Sequence, residues 1–102
     1  MPREQNRIQI PMEILLDSAS GKREARISDL SIGGCFVDSI ASFPEGERMQ
    51  FELRLPDSTV EKMTGEVSYV IEGNGFGMKF VGLSEKQTAL ISWIITENGG
   101  TP

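Results

Sequence analysis

What most limits the fold of this chain is the spacing of its apolar residues. They recur at every second position in short runs, and each run is cut off by a turn-forming cluster. In the first run Ile8, Ile10, Met12, Ile14 and Leu16 share one face, with Gln9, Pro11, Glu13 and Leu15 on the other. A period of two is the side-chain repeat of a half-buried β-strand. Pro11 has no N–H to give to a sheet ladder, so this strand needs an edge or a bulge there. DSASG (17–21) reads as a turn by composition. Beyond it EARIS aligns Ala25 with Ile27, and the same parity carried onward reaches Asp29 and Ser31.

Further runs follow the same rule. CFV (35–37) is a short strand after Gly33 and Gly34, and FPEG (43–46) is a turn. Met49, Phe51, Leu53 and Leu55 alternate with polar residues, PDS (56–58) turns the chain, and Val67, Tyr69 and Ile71 align next. EGNG (72–75) marks another tight turn before Phe76, Met78 and Phe80. The period then changes. Ser84 with Gln87 forms a capping-box signature, Leu90, Ile91, Ile94 and Ile95 recur at helical spacing, and Asn98-Gly99 supplies a stop. The pattern predicts a mainly β fold: a small six-stranded antiparallel β-barrel with a C-terminal α-helix (84–98) against its side or mouth. Parity puts Tyr69 in the core or an interface, makes Lys79 a solvated strand lysine, and gives Trp93 a role in helix–barrel packing.

At 102 residues the chain suits one domain with one core, and no repeat, linker or low-complexity segment divides it. Fifteen acids against ten bases give a formal charge of −5, which argues against general binding to DNA, RNA or an anionic membrane. No apolar run approaches the roughly 18 residues needed to cross a bilayer, and the polar start MPREQNR lacks the apolar stretch of a signal peptide. One cysteine, Cys35, allows no intrachain disulfide and reads as a buried thiol. These features fit a cytoplasmic protein.

Catalytic chemistry has little to work with. No histidine exists to serve as a base, no G-x-S-x-G elbow occurs, and Glu45, Glu47 and Glu61 fall in turns or on solvated strand faces. A metal would need an all-oxygen site, and no D-x-D-x-D-G loop is present. The chain is therefore expected to be no enzyme, with no catalytic residue, no metal and no cofactor.

Two motifs remain. Arg3 and Arg7 stand four apart directly before the first strand, and DLSIGG (29–34) packs a carboxylate, a hydroxyl and two glycines between two apolar runs. Each alone is ambiguous, since Asp and Ser often cap turns through their own backbone. Together, in this order, they resemble the PilZ domain family of bacterial cyclic-di-GMP receptors. That family carries R-x-x-x-R ahead of its first strand and [D/N]-x-S-x-x-G about twenty residues later. Arg3 and Arg7 match the first motif; Asp29, Ser31 and Gly34 match the second. GCFVDS, the Pro-Glu-Gly turn, LRLP, GEVSYV and GFGMKF extend the likeness over essentially the whole chain.

The resemblance implies a ligand, cyclic-di-GMP, and a ligand-binding set of Arg3, Arg7, Asp29, Ser31, Gly33 and Gly34. Guanidinium suits such a molecule because it forks two donors to a phosphate or to guanine O6 and N7, and its flat face stacks on a purine. The Asp29 carboxylate accepts from guanine N–H groups, Ser31 donates or accepts, and the glycines let a base approach where a Cβ would clash. Residues 1–7 are expected to be a flexible arm that orders on binding, and the protein a monomer or weak dimer. It would relay the signal to an effector protein whose identity is unknown. The competing expectation is a PilZ-fold interaction adaptor that does not use nucleotide.

Overall fold

The computed structural model describes residues 8–19, 21–41, 43–55 and 57–102. Arg3 and Arg7 lie outside the described residues, as does the whole of the expected arm. Six strands are present: β1 (Ile8–Ser18), β2 (Gly21–Ser31), β3 (Gly34–Asp38), β4 (Arg48–Arg54), β5 (Val60–Ile71) and β6 (Gly75–Val81). One helix follows, α1 (Glu85–Glu97). The strands close into an antiparallel barrel in the order β1-β2-β3-β6-β5-β4, with β4 returning to pair with β1. The mainly β barrel with a C-terminal helix is thus as the alternation predicts. Strand β5 starts five residues before the GEVSYVI run, because Met63 also points inward and is 4% exposed.

Alternation decides which side chains fill the barrel. Ile14, Leu16, Ile27, Leu30, Val37, Phe51, Leu53, Val67 and Phe76 are all buried in one core cluster. Phe43, which the sequence assigns only to a turn, drops into this core and meets Phe76 edge to face at 5.3 Å. Cys35 is buried beside them, as its neighbours suggest.

Simple alternation fails at two places, and both bear on the site. Between Ile27 and Asp29 the register of β2 against β3 shifts by one residue, at Ser28. One extra residue reverses the facing of everything after it. Leu30 therefore takes the inward position opposite Cys35, while Asp29 pairs with Phe36 on the outer face. Carrying the parity of Ala25 and Ile27 onward would have aimed Asp29 at the core. A second shift lies between Val67 and Tyr69, at Ser68. Tyr69 and Ile71 emerge on the outside, 41% and 46% exposed, so of the core or interface place that parity gave Tyr69 the core is corrected. A third irregularity, between Gln9 and Met12, accommodates Pro11 in a stretch of β1 before its pairing with β4 begins at Ile14.

Ser84 caps α1 through a full capping box with Gln87, as its spacing predicts. The Gln87 amide also donates to the Lys62 carbonyl at 2.7 Å and to Glu61 at 3.1 Å, tying the start of the helix to β5. Ile91, Ile94 and Ile95 bury the inner helix face. Trp93 does not join them. It is 56% exposed, against the expectation of a packing role in the helix–barrel contact. Beyond the helix, a Cβ on Gly100 would strike the methyl groups of Ile8 and Ile95, so this end of the chain lies against the start of β1.

The β4–β5 turn carries one residue in a conformation that costs it. Ser58 has φ +74°, the left-handed region, which disfavours an L-residue by roughly 1–2 kcal/mol. Asp57 steadies the turn by accepting from the Thr59 N–H and hydroxyl, and these bonds hold its carboxyl below the usual carboxylate range. Glycine at position 58 is expected to raise stability by about 0.5 kcal/mol, the relief of strain less the extra freedom of an unfolded glycine. Urea denaturation of Ser58→Gly beside the wild type checks this; a lower midpoint contradicts it.

Candidate functional site

Four of the six predicted ligand-binding residues are described, and all four lie on the tight connection from β2 to β3. Each one described in detail already holds the barrel together. An Asp29 carboxylate oxygen, Oδ1, accepts the Phe36 N–H at 3.1 Å across the pair that the Ser28 shift creates. Ser31 is fully buried, and its hydroxyl donates to the Gly34 carbonyl at 3.2 Å. The Gly33 carbonyl accepts from Phe80 N–H at 2.9 Å, which joins the turn to β6. Gly34 is required by crowding rather than by a positive φ. A Cβ there would overlap the Met78 carbonyl oxygen and lie 3.1 Å from the Lys79 Cα. Among the described residues no buried side-chain nitrogen or oxygen lacks a hydrogen bond.

Two rows cross the outer face from this turn. The first pairs Asp29 with Phe36, Phe36 with Gly77, and Gly77 with Tyr69. The Tyr69 ring lies where a Gly77 Cβ would be, and its centroid is 6.1 Å from that of Phe36 at a 35° tilt. A glycine under an aromatic on the next strand lets the ring lie flat against the sheet, where it both covers the backbone and presents a face to solvent. The second row runs from Ser31 through Gly34, Lys79 and Glu66 to Arg48. Glu66 bridges the two cations: Arg48 Nε at 3.1 Å and Lys79 Nζ at 3.7 Å. The Arg48 hydrogen bond is the main cause, and Lys79 a further one, of a Glu66 carboxyl held below its ordinary range.

Tyr69, Phe36 and Lys79 are thus neighbours of the motif that sequence reasoning did not place there. Parity hid Tyr69, because the shift at Ser68 is silent in the pattern of apolar residues. The available signal was local: Gly77, a glycine set between the bulky Phe76 and Met78 inside the strand. No cluster of His, Cys, Asp or Glu among the described residues has the makings of a metal site, and no described helix is long and apolar enough to cross a membrane.

A carboxylate, a backbone turn and two partly exposed rings thus share one side of the barrel wall. Comparison with known proteins agrees on the kind of barrel. The PilZ domain model matches residues 2–97, and the chain belongs to the PilZ domain family. Among solved structures, the PilZ domain with c-di-GMP of YcgR from Escherichia coli superposes with a TM-score of 0.78 at 21% identity, over 96% of this chain and 92% of that one. The longer YcgR in complex with c-di-GMP gives 0.80 at 22% identity, with 95% of this chain matched to 46% of that one. The Bacillus subtilis inhibitor of motility, MotI/DgrA, gives 0.75 at 17% identity over 95% of this chain and 51% of that one. At these identities the likeness is one of fold. No curated protein matches the sequence.

Proposed function

We propose that this protein is a receptor for cyclic-di-GMP, with the β2–β3 turn as the ledge that seats the ligand. Family membership and the c-di-GMP-bound YcgR structures support the ligand class. The observation that carries the reading is that Asp29, Ser31 and Gly34 form one pre-built turn beside the exposed Tyr69 ring and the half-buried Phe36 ring. Such a turn binds without first having to be ordered, which removes an entropic cost of roughly 1–2 kcal/mol per residue.

Each group has a part suited to a doubly anionic bis-guanylate. The ionised Asp29 carboxylate only accepts hydrogen bonds, and the N–H groups of guanine are donors suited to it. Arg3 and Arg7 bring forked donors to the phosphates and a flat face to a base. Tyr69 and Phe36 offer rings for stacking, an interaction of about 1–3 kcal/mol per base. Net charge of −5 is not a bar, because exposed charges are screened beyond about 8 Å at physiological salt. In this reading the protein is a binding module that changes the behaviour of a partner, and not an enzyme.

Amide chemical shifts during titration with cyclic-di-GMP test the location. Residues 29–36, Tyr69 and Gly77 are expected to shift most, and Tyr69→Ala to weaken binding about ten-fold. Asp29→Ala is expected to lose binding. Asp29→Asn keeps an acceptor for Phe36 N–H, as well as the Asn that the family motif allows, and should remain folded. Shifts confined to other faces of the barrel, or unaltered affinity in Asp29→Ala, contradict the site.

A further inference from the structure

A groove of about 710 Å³ runs between α1 and the barrel wall of β1 and β4 with the turn into β5, on strands that carry none of the predicted nucleotide ledge. Its floor and sides are apolar, built from Ile10, Pro11, Leu55, Val60, Trp93 and Ile94. Trp93 and Val60 are 56% and 49% exposed, so the fold itself leaves an indole and a β-branched side chain open to water. The helix is already anchored without Trp93, through Ile91, Ile94, Ile95 and the Gln87 bonds to β5. An exposed Trp in a concave apolar setting is a common energetic anchor of protein interfaces.

The rim says what kind of partner fits. Glu13 and Glu97 flank the groove, and Arg54 at its edge is engaged by Glu13 at 3.3 Å and Glu24 at 3.8 Å. Among the described lining residues two acids, Glu13 and Glu97, thus accompany one base that is already engaged. Helix α1 adds to the negative side. Its C-terminal end carries partial negative charge, its last turn holds no basic residue, and Glu97 closes it. The chain's overall −5 draws cationic partners in the same direction.

We infer that this groove docks a short segment of a partner protein, in which an apolar or aromatic anchor is flanked by Lys or Arg. The anchor packs on Trp93 and Val60, and the flanking cations reach Glu13 and, at the negative end of α1, Glu97. Cyclic-di-GMP plays no part in this docking, so the inference stands or falls apart from the nucleotide reading.

Trp93 is the chain's only tryptophan and reports on the groove directly. Random peptides displayed on phage would be selected on the full chain and counter-selected on Trp93→Ala, then synthesised in Trp-free form and titrated while Trp93 emission is read. The expected peptides carry a hydrophobic anchor between basic residues and shift the emission to the blue. They bind Trp93→Ala at least ten-fold more weakly and Glu97→Gln about three-fold more weakly at low salt. Thermal melts of both variants check that they fold, and Glu97→Gln leaves the apolar groove intact. Acidic flanks, an unmoved emission or no enrichment over the counter-selection overturns the proposal. So does a concentration-dependent blue shift of the chain alone, which would make a second copy the occupant, or a red shift on removing residues 1–7, which would make the chain its own occupant.

Discussion

Alanine at Gly34 is expected to lower the thermal unfolding midpoint by roughly 4–8 °C for each kcal/mol lost, with a loss of about 1–3 kcal/mol or more. The added methyl meets backbone on β6, the Met78 carbonyl and the Lys79 Cα, and neither can rotate away. Strands β3 and β6 must part, which strains the adjoining Phe80 N–H bond to the Gly33 carbonyl. Gly65 provides the contrast. There the nearest atoms to a Cβ all belong to the Met78 thioether side chain, an unbranched group that can move aside. Differential scanning calorimetry on Gly34→Ala and Gly65→Ala separates the two cases, and a Gly34 variant no less stable than the Gly65 variant contradicts this account of the turn. The crowding at Gly34 thus sets the shape of the β2–β3 turn that the receptor proposal uses.

Alanine at Arg3 or at Arg7 is expected to weaken cyclic-di-GMP binding by roughly ten- to a hundred-fold each, the equivalent of one lost charge-assisted contact of about 1.5–3 kcal/mol. Lysine should restore only part of the loss, since it supplies charge without the fork or the plane. Neither change is expected to move the unfolding midpoint much, because burial of apolar side chains such as Phe51, Phe76 and Leu16 holds the barrel together. Isothermal titration of the variants measures the loss. Wild-type affinity in the Arg3→Ala, Arg7→Ala double variant rules out a role for the arm.

Much of this architecture was open to reading from the spacing of side chains. Six alternating runs are six strands, and Ser84 with Gln87 caps the helix as its spacing implies. What the spacing hid was register. One extra residue at Ser28 and another at Ser68 leave the apolar pattern looking unbroken, yet they reverse the facing of Asp29, Tyr69 and Ile71. The return of β4 to β1 was hidden too, because nothing local in either run names a partner so far along the chain. Trp93 misled for a different reason. Its helical position borders the apolar stripe, and only the packing of Ile94 and Ile95 shows that the barrel needs no more from that face.

The motif residues followed the same division. The family resemblance pointed to Asp29, Ser31, Gly33 and Gly34, and geometry brings these four into one turn. The aromatic row beside them required the pairing of Gly77 with Tyr69 and Phe36. Arg3 and Arg7 rest on sequence and on the family resemblance.

Calorimetric titration of the wild-type chain with cyclic-di-GMP probes the receptor reading most directly. The account predicts saturable heat at micromolar or tighter affinity, abolished by Asp29→Ala. A flat trace from folded protein contradicts it, and leaves a PilZ barrel that works as an adaptor without nucleotide.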